Sequence, residues 1–276
     1  CNQSGRHPKQ WDGLLSTSKN ILIGILASKP ISTLMFPDPH SDNRPSIEGT
    51  LAGETVVITG ASQGIGRVIA QWFSKSDASL LLIARNEAKL EETRQLCSPA
   101  AHSRIEILSH NLAASTISTS QLTKPFSTPS ILVSVAGSFL YKTLHETTQS
   151  EYQQQLDVNL FTVVNLVKSF LPSLKNKSKR RIITIDSIAA TMGLGDSGAY
   201  SSSKHALLGY VRSLREELRD DKIPVTSIHL GQTYSTSWES SDMDPSKLIN
   251  PWDVAQSIHS IACLSPQSSM DELTIM

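Results

Sequence analysis

The sequence predicts an α/β fold: a single domain built on a doubly wound parallel sheet flanked by helices. Three observations carry this. Short apolar, often β-branched runs alternate with stretches of helical spacing over residues 51–276. Those runs are apolar without alternation, as strands covered on both faces are. Three glycines stand where the first run meets the first helical stretch. With 276 residues, 39% of them hydrophobic and 18% charged, the chain has material for a large core.

Residues 1–50 read as a leader and linker, the folded domain as 51–276. The leader, 1–37, holds Arg6, Lys9, Lys19 and Lys29 against Asp12, a balance that suits a transit or signal segment and equally a surface leader. Its apolar run at 21–27 stops at Ser28-Lys29-Pro30, short of the about 18 residues a spanning helix needs, so no stable membrane insertion is expected. Pro-containing residues 36–45 read as a linker. Strands are expected at 55–59 and 79–84, helices at 65–76 and 86–97, and further strands at 104–109, 131–135, 181–186 and 225–230. Residues 272–276 look like a last edge strand. The helical stretches 152–174 and 200–218 carry apolar side chains in nearly all directions, and a helix apolar all round needs cover on both sides. A homodimer or homotetramer through these two helices is the expected cover.

Twenty-five Lys plus Arg cancel 25 Asp plus Glu, which removes any long-range attraction for nucleic acid. The sharpest basic run, 175–181, reads as a solvated loop. Cys1, Cys97 and Cys263 lack disulfide-framework or zinc spacing, so no metal site is expected and a reducing, cytoplasmic setting is, with organelle targeting left open. Cys97 and Cys263 read as small buried hydrophobes, and His110, His205 and His229 as packed or exposed.

Thr59-Gly60-Ala61-Ser62-Gln63-Gly64-Ile65-Gly66 lies directly between a strand and a helix, the context a phosphate cradle requires. Gly60 permits a tight turn, Gly64 lets the backbone approach a pyrophosphate, and Gly66 lets helix and strand pack closely. The helix N-terminus then offers free N–H groups to the anion. The next strand runs into Arg85-Asn86 with no acid before Glu87. An acid there would hold the ribose hydroxyls of NAD; a guanidinium accepts a 2′-phosphate, so NADP is expected over NAD. Further on, Tyr200 and Lys204 stand four apart at the head of a helix, one turn apart on one face. A fixed cation favours the phenolate, as a proton donor to a carbonyl oxygen requires.

Taken together, these landmarks resemble the short-chain dehydrogenases/reductases, single-domain Rossmann-like enzymes, over nearly all of residues 51–276. The order matches: the glycine turn, Ala136-Gly137 after the fourth strand, Asn159 in the long helix, Ser187 after the fifth strand, Tyr200 with Lys204, and Gly231 after the sixth. The resemblance implies hydride transfer between a nicotinamide cofactor and a carbonyl or alcohol. Tyr200 would be the general acid or base, and Ser187 would hydrogen-bond the substrate oxygen. Lys204 would also hold the nicotinamide ribose, and Asn159 would fix a water on a proton path. Cofactor contacts would come from Thr59, Gly60, Ser62, Gln63, Gly64, Ile65, Gly66, Arg85, Asn111, Ala136, Gly137, Tyr200, Lys204, Gly231 and Ser235.

This chain departs from the family pattern at Ser134-Val135, where two amides are usual, at Asn111 for an Asp, at Leu230 for a Pro, and at Ser235 for a Thr. These departures leave a second reading open, a non-catalytic cofactor-binding or regulatory protein on the same fold. The variable region 232–248, with Tyr234, Trp238 and Met243, together with Phe139, Leu140 and Tyr141, suits a small, mostly apolar carbonyl compound.

Overall fold

The computed structural model describes residues 41–236 and 243–276; the leader and Trp238 lie outside the described residues. Seven parallel strands form one sheet in the order β3-β2-β1-β4-β5-β6-β7. They are β1 (Thr55–Thr59), β2 (Ser79–Ala84), β3 (Ile105–Ser109), β4 (Ile131–Ser134), β5 (Arg181–Ser187), β6 (Val225–Leu230) and β7 (Glu272–Ile275). The order reverses between β1 and β4, and at such a switch point crevices open beyond the strands' C-terminal ends. Every residue of β1, β4, β5 and β6 is buried, which is why their sequences read as continuous apolar runs.

The helices are α1 (Gly64–Phe73), α2 (Glu87–Leu96), α3 (Gln149–Leu156), α4 (Thr162–Leu174), α5 (Gly198–Glu217) and α6 (Pro251–Cys263). On one face, Val57, Leu81, Leu132, Ile182 and Val225 join Leu166 and Phe170 of α4 and Leu207 and Val211 of α5 in one core. Alternate strand residues point to the other side. There α1 packs against α6, with Trp72 edge-on to Trp252. Burial at about 25 cal/mol per Å² is the main stabilising term of such layers.

Four departures from expectation have physical causes. The stretch expected as one helix at 152–174 starts at Gln149 and is broken by a π turn at Asp157–Phe161. Helix α5 presents a polar outer face, Ser202, His205, Arg212 and Glu216, so the sheet and its neighbours already cover most of its apolar side. Packing begins ahead of Leu51: Arg44 pairs with Asp253 of α6 at 2.8 Å, and Ile47 is buried. Arg181 is not part of a solvated loop. It is buried, its NH2 group donating to the carbonyls of Leu264, Ser265 and Ser268. Burial also pushes the Cys97 thiol up to about 12, as suits an inert core residue, whereas Cys263 is half-buried beside His259.

Candidate active site

The turn after β1 is shaped by its glycines. Gly60 and Gly64 have φ of 67° and 56°, in the left-handed region that favours glycine. A Cβ on Gly60 would sit 2.8 Å from the Ala136 backbone, and one on Gly66 would run into the Gly60 carbonyl. The turn thus lies hard against both its own helix and the end of β4. Thr59 completes the joint: its Oγ1 accepts the N–H groups of Val135 and Ala136 at 3.1 and 3.2 Å and lies 3.4 Å from the Ser134 hydroxyl. The Ser134-Val135 departure therefore keeps the strut between β1 and β4, and the Thr59 hydroxyl is spent on structure.

Beside this turn lies a cavity of about 440 Å³. Ser62, Gln63, Ile65, Arg85, Asn111, Ala136, Gly137 and Ser235 line it with the turn itself, as expected. At its outer end Arg85 is exposed, and its guanidinium has no partner among the described residues. Lys89, which the sequence reading passed over, stands next to it in the wall, its Nζ donating to Gln63 Oε1 at 3.1 Å. Asn86 caps α2 through Lys89 N–H, which fixes where both cations start. Thr236 also went unread: its hydroxyl accepts from Gln63 Nε2 at 3.2 Å and closes over the turn. Gly231 lies outside the lining, its N–H donating to Ile275 O at 2.9 Å at the end of β7.

The inner wall holds Val158, Thr162 and Ile185, and behind it stand the residues expected to be catalytic. Lys204 Nζ donates to the Ile185 carbonyl at 3.2 Å and lies 5.9 Å from the Tyr200 ring centre, so the i, i+4 pair does face one way. Among the described residues no protein group hydrogen-bonds the Tyr200 hydroxyl; the ring meets Phe139 edge-on at 4.9 Å. Ser187 Oγ accepts from Ala189 N–H at 3.1 Å, which leaves its own proton for another acceptor.

Asn159 sits in the π turn, a feature frequent at functional sites. Its Oδ1 accepts from Ser138 N–H, and its Nδ2 donates to Ser138 O, Gln155 Oε1 and Ser203 Oγ, all within 2.9–3.1 Å. The side chain ties the loop after β4 to α3 and α5. Both groups of the side chain are thus committed to protein.

The wall facing Tyr200 is a loop after β4 with exposed Phe139, Tyr141 and Leu144. Lys142 N–H donates to Asp196 O at 2.6 Å and Tyr141 Oη to Asp196 Oδ2 at 3.3 Å. The Lys142 ammonium beside Glu151 holds that carboxyl down at about 2.

Could a dinucleotide fit? The glycine turn at the N-terminus of α1, open to the cavity, and the two cations at the cavity's outer end are the features such a group needs. Comparisons with known proteins agree. Residues 54–245 match the family model for short chain dehydrogenase. An uncharacterized oxidoreductase of Staphylococcus epidermidis is 26% identical over 226 residues, covering 80% of this chain and 96% of its own. Dehydrogenase/reductase SDR family member 7B of Mus musculus is 30% identical over 191 residues, 67% of this chain and 59% of that protein. Among solved structures, a metagenomic short-chain oxidoreductase in complex with NADP is 27% identical with a TM-score of 0.68, covering 82% of this chain and 98% of its own. The L-sorbose reductase of Gluconobacter frateurii shares the fold at a TM-score of 0.73 and 21% identity, over 84% of this chain and 97% of its own. With its glycine turn, its Asn159, Ser187, Tyr200 and Lys204 set and this match, the chain belongs to the short-chain dehydrogenase/reductase family of oxidoreductases.

Proposed function

We propose that this protein is an NADP(H)-dependent oxidoreductase that interconverts a small, mostly apolar ketone or aldehyde and its alcohol. The observation that carries the reading is the Tyr200 hydroxyl, without a hydrogen-bond partner among the described residues and one helical turn from a buried ammonium. When bound, the nicotinamide supplies a hydride to the carbonyl carbon or accepts one from the alcohol. Tyr200 gives its proton to the carbonyl oxygen in reduction and takes it back in oxidation. The Ser187 hydroxyl donates to the same oxygen and stabilises the negative charge that builds there. Lys204 offers its remaining N–H groups toward the phenol and the ribose. Asn159 acts by holding Ser138 and Ser203, and so the loop and helix on either side of Tyr200.

Arg85 and Lys89 support NADP over NAD, since two cations favour a 2′-phosphate. A relative of 27% identity crystallised with NADP supports the same choice. Titration with NADPH and NADH, followed by a carbonyl screen with the tighter cofactor, tests the reading. NADPH is expected to bind more tightly, and tighter NADH would overturn the role given to Arg85. Binding without turnover across a broad carbonyl panel would favour the non-catalytic alternative.

A homodimer or homotetramer through the helices at 152–174 and 200–218 belongs to the same reading. It is supported by Phe161, 41% exposed, with half-buried Leu160, Val164 and Leu171 beside it. A monomeric mass by light scattering at micromolar concentration would overturn it.

A further inference from the structure

Behind Lys204 lies a buried carboxylate that the four-residue set does not include. Asp186 is the penultimate residue of β5, directly before Ser187, with its side chain 0% exposed. Its Oδ1 accepts from Ser187 N–H at 2.9 Å and lies 3.7 Å from Lys204 Nζ. One oxygen therefore touches two members of the catalytic set. Its Oδ2 is buried with no hydrogen-bond partner. Opposite Asp186 across β5 and β6 stands His229, also buried, both of its ring nitrogens lacking an aligned partner. His229 Nε2 is 3.4 Å from Glu272 Oε2 of β7. Glu272 is itself held by Arg212 of α5 at 2.7 and 3.0 Å, with Arg215 and Asp271 alongside.

An ammonium taken out of water is costly unless a counter-charge stands by it, and Lys204 otherwise has only the neutral Ile185 carbonyl. We propose that Asp186 is a positioning residue of the active site: it is the counter-charge that holds the Lys204 ammonium against Ile185, below Tyr200, with His229 beside it across β5 and β6. This rests on the catalytic reading above and extends it.

The electrostatics give the sign of a pH effect. Burial pushes the Asp186 carboxyl up from the usual carboxylate range, opposed by Lys204, the Ser187 N–H and His229. As pH falls through its titration the carboxyl takes a proton and Lys204 loses its counter-charge, so activity falls on the acid side. Above that titration the pairing is fully present.

The test uses the full chain with NADPH and the best carbonyl from the screen, measuring NADPH Kd, KM and kcat from acid to neutral pH. Asp186→Asn is expected to lower kcat about ten- to a hundredfold with little change in carbonyl KM, and to remove the acid-side fall in kcat. In a Lys204→Met background the same change should have no further effect. His229→Gln should move the acid-side fall to higher pH. Wild-type kcat and an unchanged acid limb in Asp186→Asn, or additive effects with Lys204→Met, would overturn the proposal alone. Should Asp186→Asn not fold, an acid limb unmoved in His229→Gln overturns it. A wild type that neither binds NADPH nor turns over any carbonyl would instead remove the catalytic reading, and this inference with it.

Discussion

The two ends of the cleft are built in opposite ways. At the inner end, Asn159 makes four hydrogen-bond contacts, Lys204 is buried against Ile185, and Ser187 is anchored through Ala189. At the outer end, Arg85 and Asn86 project from an exposed loop, and Asn111 bonds only its own turn, through Ala113 N–H. Proton transfer needs atoms fixed to fractions of an ångström, which buried and mutually satisfied groups provide. Phosphate recognition needs charge within reach, which surface side chains provide at little structural cost. One departure from the family pattern, Asn111, falls at this loosely held end.

The sharpest way to break this contrast is Tyr200→Phe. It keeps the ring contact with Phe139 and removes only the hydroxyl, so kcat should fall by about a hundred- to ten-thousandfold while NADPH affinity holds. Full retained activity on any substrate would end the proton-transfer role. Gly66→Ala should come next. Its methyl group has no room against the Gly60 carbonyl, and overpacking of this kind costs about 1–3 kcal/mol. Thermal unfolding and NADPH titration should both register it.

Asn159→Ala strips the part-buried backbone groups of Ser138 of their partners, at about 1–3 kcal/mol, and should lower kcat together with the melting temperature. A loss of kcat at unchanged stability would mean that the residue does more than hold its neighbours. The smallest effect is expected at the outer end: Arg85→Ala should weaken NADPH by about tenfold and leave NADH unchanged, as loss of one charge-assisted contact would. Equal weakening of both cofactors would break the assignment of Arg85 to the 2′-phosphate.

Much of this was legible in the residues. Strand bounds fell close to expectation because a strand buried on both faces admits no polar alternation, and the glycine turn announced itself by position. What was not legible has identifiable causes. The π turn at Asp157–Phe161 is one extra residue in a helical ladder, and nothing in the side chains marks it. Helix α6 mixes Ser, Gln and His among its apolar residues, although Asn250 capping Trp252 N–H, with Pro251 at the first turn, was a readable start signal. Asp186 ended an apolar run and drew no notice, because its counter-charge is eighteen positions away and on another element. Arg181 looked like one more member of a basic run; only the fold brings three carbonyls to it.

The stitch between Lys142 and Asp196 has a bearing on how the enzyme could change. It registers the loop bearing Phe139, Tyr141 and Leu144 to the residues just ahead of the helix that carries Tyr200. The Tyr141 and Leu144 side chains of that loop face solvent, whereas its backbone is pinned, so changes there are expected to act on what reaches the site more than on the reaction itself. Positions 141 and 144 are therefore where a library should be built to redirect this protein toward new compounds.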